Sequence, residues 1–246
     1  MGDHLRVDVL ILGAGPTGLM AATWMAVTWM AVTGVRTLLV ERRPQGTQDG
    51  RADGLETGHW RSWTASDLPT AFGLKRITRS SGRVEEHLLN LVQSAKNVDI
   101  RRATIPTTLE IDYSTIEDHA TYPIRVTLDN VPPTDFVDPM NSMSGDSAIA
   151  RLDTVVKAKY VLGCDGAHSW LRKPLGIRLE GQISDYQWGV VDFVPITNFR
   201  SDIRKRCIVK FKYGTLTVLP REKRLVRAYT ELSPMASARY AFQQTP

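Results

Sequence analysis

Val7-Asp8-Val9-Leu10-Ile11-Leu12-Gly13-Ala14-Gly15-Pro16-Thr17-Gly18 decides how the rest of the chain is read. Its apolar, β-branched half has the composition of a buried parallel strand, and the glycines that follow stand at G-x-G-x-x-G spacing. Gly13 permits a tight turn, Gly15 lets a pyrophosphate approach the backbone, and Gly18 lets a helix pack close to the strand. The helix N-terminus then faces the phosphates, and Pro16 suits the first turn of that helix. A dinucleotide site of this kind also needs an acidic residue at the end of the second strand, where it can hold ribose hydroxyls. Val35-Arg36-Thr37-Leu38-Leu39-Val40-Glu41 supplies both strand and acid. A Gly-rich turn between unrelated elements is the bland alternative, and the combination of strand, glycines, helix and Glu41 counts against it.

The chain has 246 residues, 42% hydrophobic and 23% charged, enough for one large domain or two small ones with an ordinary core. Cys164 and Cys207 make no metal-ligand spacing with the five histidines and suggest no disulfide framework, which fits a reducing compartment. Met1-Gly2-Asp3-His4 begins no secretory signal, so a cytoplasmic protein is expected. No charged residue lies between Val9 and Val35, an interval a hydropathy window would flag as a membrane span. Its glycines and proline sit at the fingerprint positions, where a nucleotide-binding turn accounts for them and a spanning helix does not. The formal charge of +5 is unevenly placed, with ten Lys/Arg between Arg200 and Arg227 set against Asp202 and Glu222. No aromatic interleaving or nucleic-acid motif accompanies that run. An anionic cofactor or small substrate explains it as well as nucleic acid would, and neither nucleic acid nor membrane is an expected partner.

The first helix is expected from Pro16 to Gly34. It contains a direct repeat, Thr23-Trp24-Met25-Ala26-Val27 followed at once by Thr28-Trp29-Met30-Ala31-Val32. Five residues turn a helix by about 500°, so the two copies cannot present one face and something is displaced. Glu41-Arg42-Arg43-Pro44 leads into a polar loop ending Gly50-Arg51-Ala52-Asp53-Gly54, and Leu55 to Ser81 shows no period. Val84, Leu88, Leu91, Val92 and Ala95 recur at helical spacing. Short strands are expected at 98–102, 108–113 and 124–128, and a surface loop or insertion at 130–147. A strand over 153–162 runs into Gly163-Cys164-Asp165-Gly166-Ala167-His168-Ser169-Trp170-Leu171-Arg172. A second strand-turn-helix crossover there would place Asp165 beside ribose or phosphate, with Ser169 capping the helix. Asp-Gly by itself is more often a plain turn, and His168 reads as a solvated loop residue. Beyond Gly176, strands at 187–194, 206–213, 215–219 and 225–232 suggest part of an antiparallel sheet.

Taken together, the Gly13 to Gly18 turn, Glu41-Arg42-Arg43-Pro44, Arg51-Ala52-Asp53-Gly54 and the stretch from Gly163 to Arg172 resemble the FAD-dependent aromatic hydroxylases, specifically their fungal phenol 2-monooxygenase-like branch. The likeness continues through Trp188-Gly189-Val190-Val191-Asp192 and Pro220-Arg221-Glu222 to Tyr229. It implies an α/β fold, with a Rossmann-like FAD-binding domain over 1–176 and an incomplete, mainly antiparallel β substrate domain over 177–246. Residues 55–81 would be a shortened excursion of the substrate domain. It also implies FAD as cofactor, NADPH as co-substrate, and hydroxylation of a phenolic ring with oxygen; no metal is implied. Carried over by residue, Gly13, Gly15 and Gly18 hold the pyrophosphate, Glu41 the adenosine ribose, and Arg51 and Asp165 the remaining flavin chain, with Pro16 and Arg42 also among the cofactor-binding residues. Asp53, Arg221 and Tyr229 match the positions around the phenol and the isoalloxazine.

The chemistry of those three is coherent, because hydroxylation needs an electron-rich ring. Tyr229 and Asp53 can accept or relay the phenol proton, and Arg221 can stabilise negative charge. Without the resemblance, Tyr229 is a half-buried strand residue and Arg221 a solvated turn residue. The chain also departs from the pattern: the segment before Gly82-Arg83 is short, Ser81 stands where Gln is usual, and no later Gly-Asp motif follows Tyr229 before Pro246. A truncated or rearranged member is therefore expected. A catalytically inactive nucleotide-binding remnant and a structural or basic interaction protein are the alternatives.

Overall fold

A computed structural model describes residues 5–27, 34–46, 81–131, 154–182, 187–197, 207–211, 214–221 and 224–232. The chain divides into two compact units, Met1–Gln48 with Gly82–Leu179, and Asp49–Ser81 with Glu180–Pro246.

The first unit contains β1 (Leu5–Leu12), α1 (Pro16–Val27), β2 (Thr37–Val40), α2 (Ser81–Gln93), β3 (Val98–Arg101), β4 (Thr104–Ile111), β5 (Ile124–Asn130) and β6 (Thr154–Gly163). Its sheet has the order β3-β2-β1-β6-β5-β4. β1 is central and parallel to both β2 and β6, and β3 extends the parallel half beyond β2. β4 and β5 pair antiparallel to each other and to β6. Leu10, Ile11, Leu12, Leu38, Leu39 and Val40 are almost fully buried. That is the condition of parallel strands covered on both faces, and it explains their unbroken apolar run.

Helix α1 packs on β1, β2 and β3. It buries Leu19, Ala22, Thr23 and Ala26, a stripe at helical spacing. Asn97 ties the end of this helix to the approach of β2, its side-chain amide donating to the carbonyls of Met25 at 2.9 Å and Val35 at 3.1 Å. Gly34 takes φ +73°, as a helix-stopping residue does. The expected continuation of the helix through the second repeat copy lies outside the described residues, as do residues 55–80 and most of the expected 130–147 loop.

Two expectations are corrected. The expected strand beginning at residue 108 begins at Thr104 and runs through Pro106, with an irregularity between Pro106 and Thr108. β4 is the edge of the sheet, where a missing N–H leaves no ladder bond unmade. After β6 no helix follows: residues 167–176 form successive turns. Pro174 lacks an N–H and disfavours helical geometry at Lys173, so Ser169 Oγ accepts only a local bond from Arg172 N–H at 3.3 Å.

The second unit contains β7 (Gln187–Phe193), β8 (Cys207–Phe211), β9 (Gly214–Pro220) and β10 (Val226–Leu232). They form an antiparallel sheet in the order β7-β10-β9-β8. Among the described residues no helix is long and apolar enough to cross a membrane, no group of side chains is placed to hold a metal, and Cys164 and Cys207 are free thiols.

Thr37 is the polar exception in β2: its Oγ1 is buried and has no hydrogen-bond partner among the described residues. A buried hydroxyl without a partner destabilises, so Thr37→Val, which swaps it for a methyl of similar size, should raise the unfolding free energy by about 1 kcal/mol. Chemical denaturation measures this. A loss of stability would mean that the hydroxyl is satisfied in solution.

Candidate functional site

Three turns leave the carboxyl ends of the adjacent parallel strands β2, β1 and β6 and are laced to one another. Gly13 N–H donates to Val40 O, and Cys164 N–H donates to Leu12 O, both at 2.8 Å. Chain order reverses between β1 and β6, because β2 and β3 lie to one side of β1 and β6 to the other. Open α/β sheets receive ligands at such a point, outside the carboxyl ends of the strands.

The glycines divide into two kinds. Gly13 adopts φ +100°, and a Cβ there would fall 2.5 Å from the carbonyl oxygen of Cys164. A Cβ on Gly18 would fall 1.8 Å from the carbonyl oxygen of Gly13. Both therefore serve packing, one of β1 against the β6 turn and the other of α1 against β1. Gly15 differs: a Cβ there would meet nothing within 4 Å. Its carbonyl accepts the first helical bond, from Leu19 N–H at 2.9 Å, and Pro16 opens the helix. The N–H groups of that first turn have no intrahelical acceptors and suit an anion. Gly15 thus leaves open space where a diphosphate would come close to the backbone.

Glu41 follows β2 and is 7% exposed. Its Oε2 accepts from Ala14 N–H at 2.7 Å, and its Oε1 accepts from both Arg43 N–H and Arg43 Nε–H at 3.0 Å. Burial pushes the carboxyl upward, but the backbone bonds from Arg43 and Ala14 and the Arg43 guanidinium outweigh it and hold the group below its ordinary 4.5. A carboxylate offers about four acceptor sites. Three are used, so Oε2 keeps one for a hydroxyl. Arg42 is exposed, and the cation on Glu41 is its neighbour Arg43.

Asp165 leaves the end of β6. Its Oδ2 accepts from Trp170 N–H at 2.6 Å and from Leu171 N–H at 3.3 Å, and so closes the turn that the sequence assigned to a helix. Its Oδ1 is buried and has no partner among the described residues. An ionised oxygen in that condition calls for a donor such as a ligand hydroxyl. His168 is exposed, as expected of a solvated loop residue. Arg51 and Asp53 lie outside the described residues.

In the second unit, Tyr229 of β10 stands opposite Val190 of β7 and Thr217 of β9. Two residues earlier on the same face, Arg227 stands opposite Asp192, and its Nε and Nη2 donate to the two carboxylate oxygens at 2.7 Å each. The Arg227 bonds hold Asp192 below its ordinary value against the effect of burial, and the charge of Arg221 adds to this. Arg221 N–H donates to Leu225 O at 2.8 Å, closing the β9–β10 hairpin. Arg221 and Tyr229 thus belong to one hairpin, and Arg227 shares the face of Tyr229. Sequence reasoning missed Asp192 as the partner of Arg227 and Arg43 as the cation on Glu41. Only the i+2 position of Arg43, returning toward Glu41, could have signalled the latter.

A cavity of about 460 Å³ in the first unit is walled by Val9, Met25, Val35, Tyr160 and Leu162, with Lys159 at its rim. It lies along the strands rather than at their carboxyl ends and shares no residue with the candidate site.

The geometry separates the glycines in a measurable way. Gly18→Ala should cost about 1 to 3 kcal/mol of stability, because backbone must move. Gly15→Ala should cost at most about 1 kcal/mol, as a helix cap, yet weaken dinucleotide binding strongly. Comparable unfolding free energies for the two variants would contradict this division. Glu41 predicts an acid response of definite sign. A carboxyl held below its ordinary value in the folded state contributes stability above the ordinary value and loses it as pH falls through the folded one. Denaturation from about pH 6 to about pH 3 should show a shallower decline for Glu41→Gln than for the wild type, and equal slopes would count against the buried ionised form.

The family model of the FAD binding domain matches residues 6–108 and 142–242. Phenol 2-monooxygenase fsqG of Aspergillus fumigatus is 31% identical over 94% of this chain and 39% of its own length. The 3-hydroxybenzoate 4-monooxygenase of Comamonas testosteroni is 29% identical over 94% of this chain and 38% of its own. The chain thus spans about two-fifths of the length of these relatives. Among solved structures, PqsL of P. aeruginosa in complex with 2-aminobenzoylacetate superposes with a TM-score of 0.65 at 18% identity, covering 96% of this chain and 63% of that one. Aklavinone-11 hydroxylase with FAD and aklavinone gives 0.60 at 19% identity, over 96% of this chain and 47% of that one. With the family match reaching across both units, the chain belongs to the FAD binding domain family of the FAD-dependent aromatic monooxygenases.

Proposed function

We propose that the chain carries the FAD-holding part and part of the substrate sheet of a monooxygenase that hydroxylates a phenolic ring, using NADPH and O2. The observation that carries this reading is the meeting of the Gly13 to Gly18 turn, Glu41 and Asp165 at the carboxyl ends of β1, β2 and β6. Open space at Gly15, a spare acceptor site on Glu41 and the unpartnered Asp165 Oδ1 fit a diphosphate flanked by two sets of hydroxyls. In this assignment the glycine turn and Pro16 take the pyrophosphate, Glu41 with Arg42 takes the adenosine ribose, and Asp165 with Arg51 takes the flavin-side chain. FAD, when bound, supplies the electron acceptor for NADPH and the centre at which oxygen is activated.

Tyr229, Arg221 and Asp53 are assigned to the aromatic substrate. The Tyr229 hydroxyl can accept and return the proton of the substrate phenol, raising electron density on the ring. The fork of Arg227 is committed to Asp192, and Arg221 adds positive charge to the same neighbourhood, which favours a phenolate. Two relatives bear names that specify hydroxylated aromatic substrates, a phenol and 3-hydroxybenzoate. The extent of the family match supports this reading over a nucleotide-binding remnant and over a basic interaction protein. The basic run at 200–227 fits an anionic cofactor or substrate.

Titrating the purified chain with FAD while following flavin fluorescence and the visible spectrum tests the cofactor assignment. Adding NADPH, oxygen and a simple phenol, with catechol detected by mass spectrometry, tests the reaction. Bound flavin and catechol formation are expected. Tyr229→Phe should cut hydroxylation by about 10²- to 10⁴-fold with FAD affinity unchanged. A protein that stays colourless with excess FAD would sink the proposal.

A further inference from the structure

Glu85 is 7% exposed, on the inner face of α2 with Leu88 and Val92. A carboxylate there is expensive unless a cation compensates it. The positions one helical turn away, 81, 82, 88 and 89, are Ser, Gly, Leu and Leu, none of them a cation. The cation comes from the β2 turn: Arg43 Nη2 lies 3.9 Å from Glu85 Oε2, while Arg43 Nε donates to Glu41 Oε1 at 3.0 Å. One guanidinium therefore stands between two buried carboxylates.

We infer that Glu85 is a positioning residue for the ribose end of the dinucleotide site: it holds the far side of the Arg43 guanidinium, which keeps the near side on Glu41 Oε1 and leaves Oε2 for a ribose hydroxyl. This rests on the assignment of Glu41 to the adenosine ribose. The side chain of Arg43 is 33% exposed, so without an anchor it is free to turn outward to water. Glu41 would then keep the Arg43 and Ala14 N–H bonds but lose the Arg43 Nε–H bond that helps fix how its carboxylate is rotated. Glu85 touches no ligand in this scheme and acts through Arg43.

The probes are ADP and 2′,3′-dideoxy-ADP, which share base and diphosphate and differ in the ribose hydroxyls. Calorimetric titration of the wild-type chain should show ADP preferred by about tenfold, the worth of a hydrogen bond to a charged acceptor. Glu85→Gln keeps the shape and removes the charge. It should lower that preference to about twofold while leaving dideoxy-ADP binding unchanged. Arg43→Lys, which keeps a charge and loses the fork, should do the same, and Glu85→Gln added to Glu41→Gln should do nothing more. A Glu85→Gln variant that keeps the wild-type preference, or that weakens both nucleotides equally, overturns the role of Glu85 alone. A wild-type chain without preference for ADP overturns the ribose assignment of Glu41 and this inference together.

Discussion

A side chain at residue 18 would force the backbone to move, because its Cβ would fall 1.8 Å from the carbonyl oxygen of Gly13. That contact sets how closely α1 follows β1, and the carboxyl end of the sheet is arranged around it. Gly13, with no Cβ of its own, lets the turn after β6 close to van der Waals distance. Once both approaches are made, Gly13 N–H reaches Val40, Cys164 N–H reaches Leu12, and Ala14 N–H points at Glu41. Strands that end level, with three turns locked together, are the physical basis of the site. Two of the three fingerprint glycines answer to packing within the protein, and at the third, Gly15, a Cβ would meet nothing within 4 Å.

Charge in the first unit is set by local donors working against burial. Glu41 is ionised because three donors outweigh the effect of burial, and an ionised, well-donated carboxylate is an acceptor for hydroxyls. The Cys164 thiol, against Gly13, is pushed the other way, first by burial and then by the charge of Asp165, so it stays protonated and packs. In the second unit Arg227 is paired with Asp192, and the charge of Arg221 also reaches Asp192. One cation of the basic run, Arg227, is thus offset by an acid that lies outside the run.

Much of this was legible in the sequence, because it depends on neighbours along the chain. The β1 turn, the start of α1, the acid after β2 and the parity of β10 follow from glycine spacing, apolar runs and alternation, each a property of a few consecutive residues. Tyr229 and Arg227 share a face for no reason beyond the two-residue period of a strand.

Tertiary structure alone decided what those pieces meet. Which strand lies beside β1 was not written locally: β6 arrives more than a hundred residues later, and only that pairing places Cys164 and Asp165 against Gly13. The choice of Arg43 over Arg42 as partner of Glu41 depends on which of two adjacent side chains turns inward, and the buried Glu85 beside it comes from a helix 42 residues on. Asp192 finds Arg227 across a register set by the whole β7–β10 ladder. Pro106 is accepted in a strand because β4 ends the sheet, and the segment after Asp165 is turned rather than helical because Pro174 follows it and Asp165 closes it. In each case the deciding term is burial or pairing between distant segments, which a local pattern of residue types does not contain.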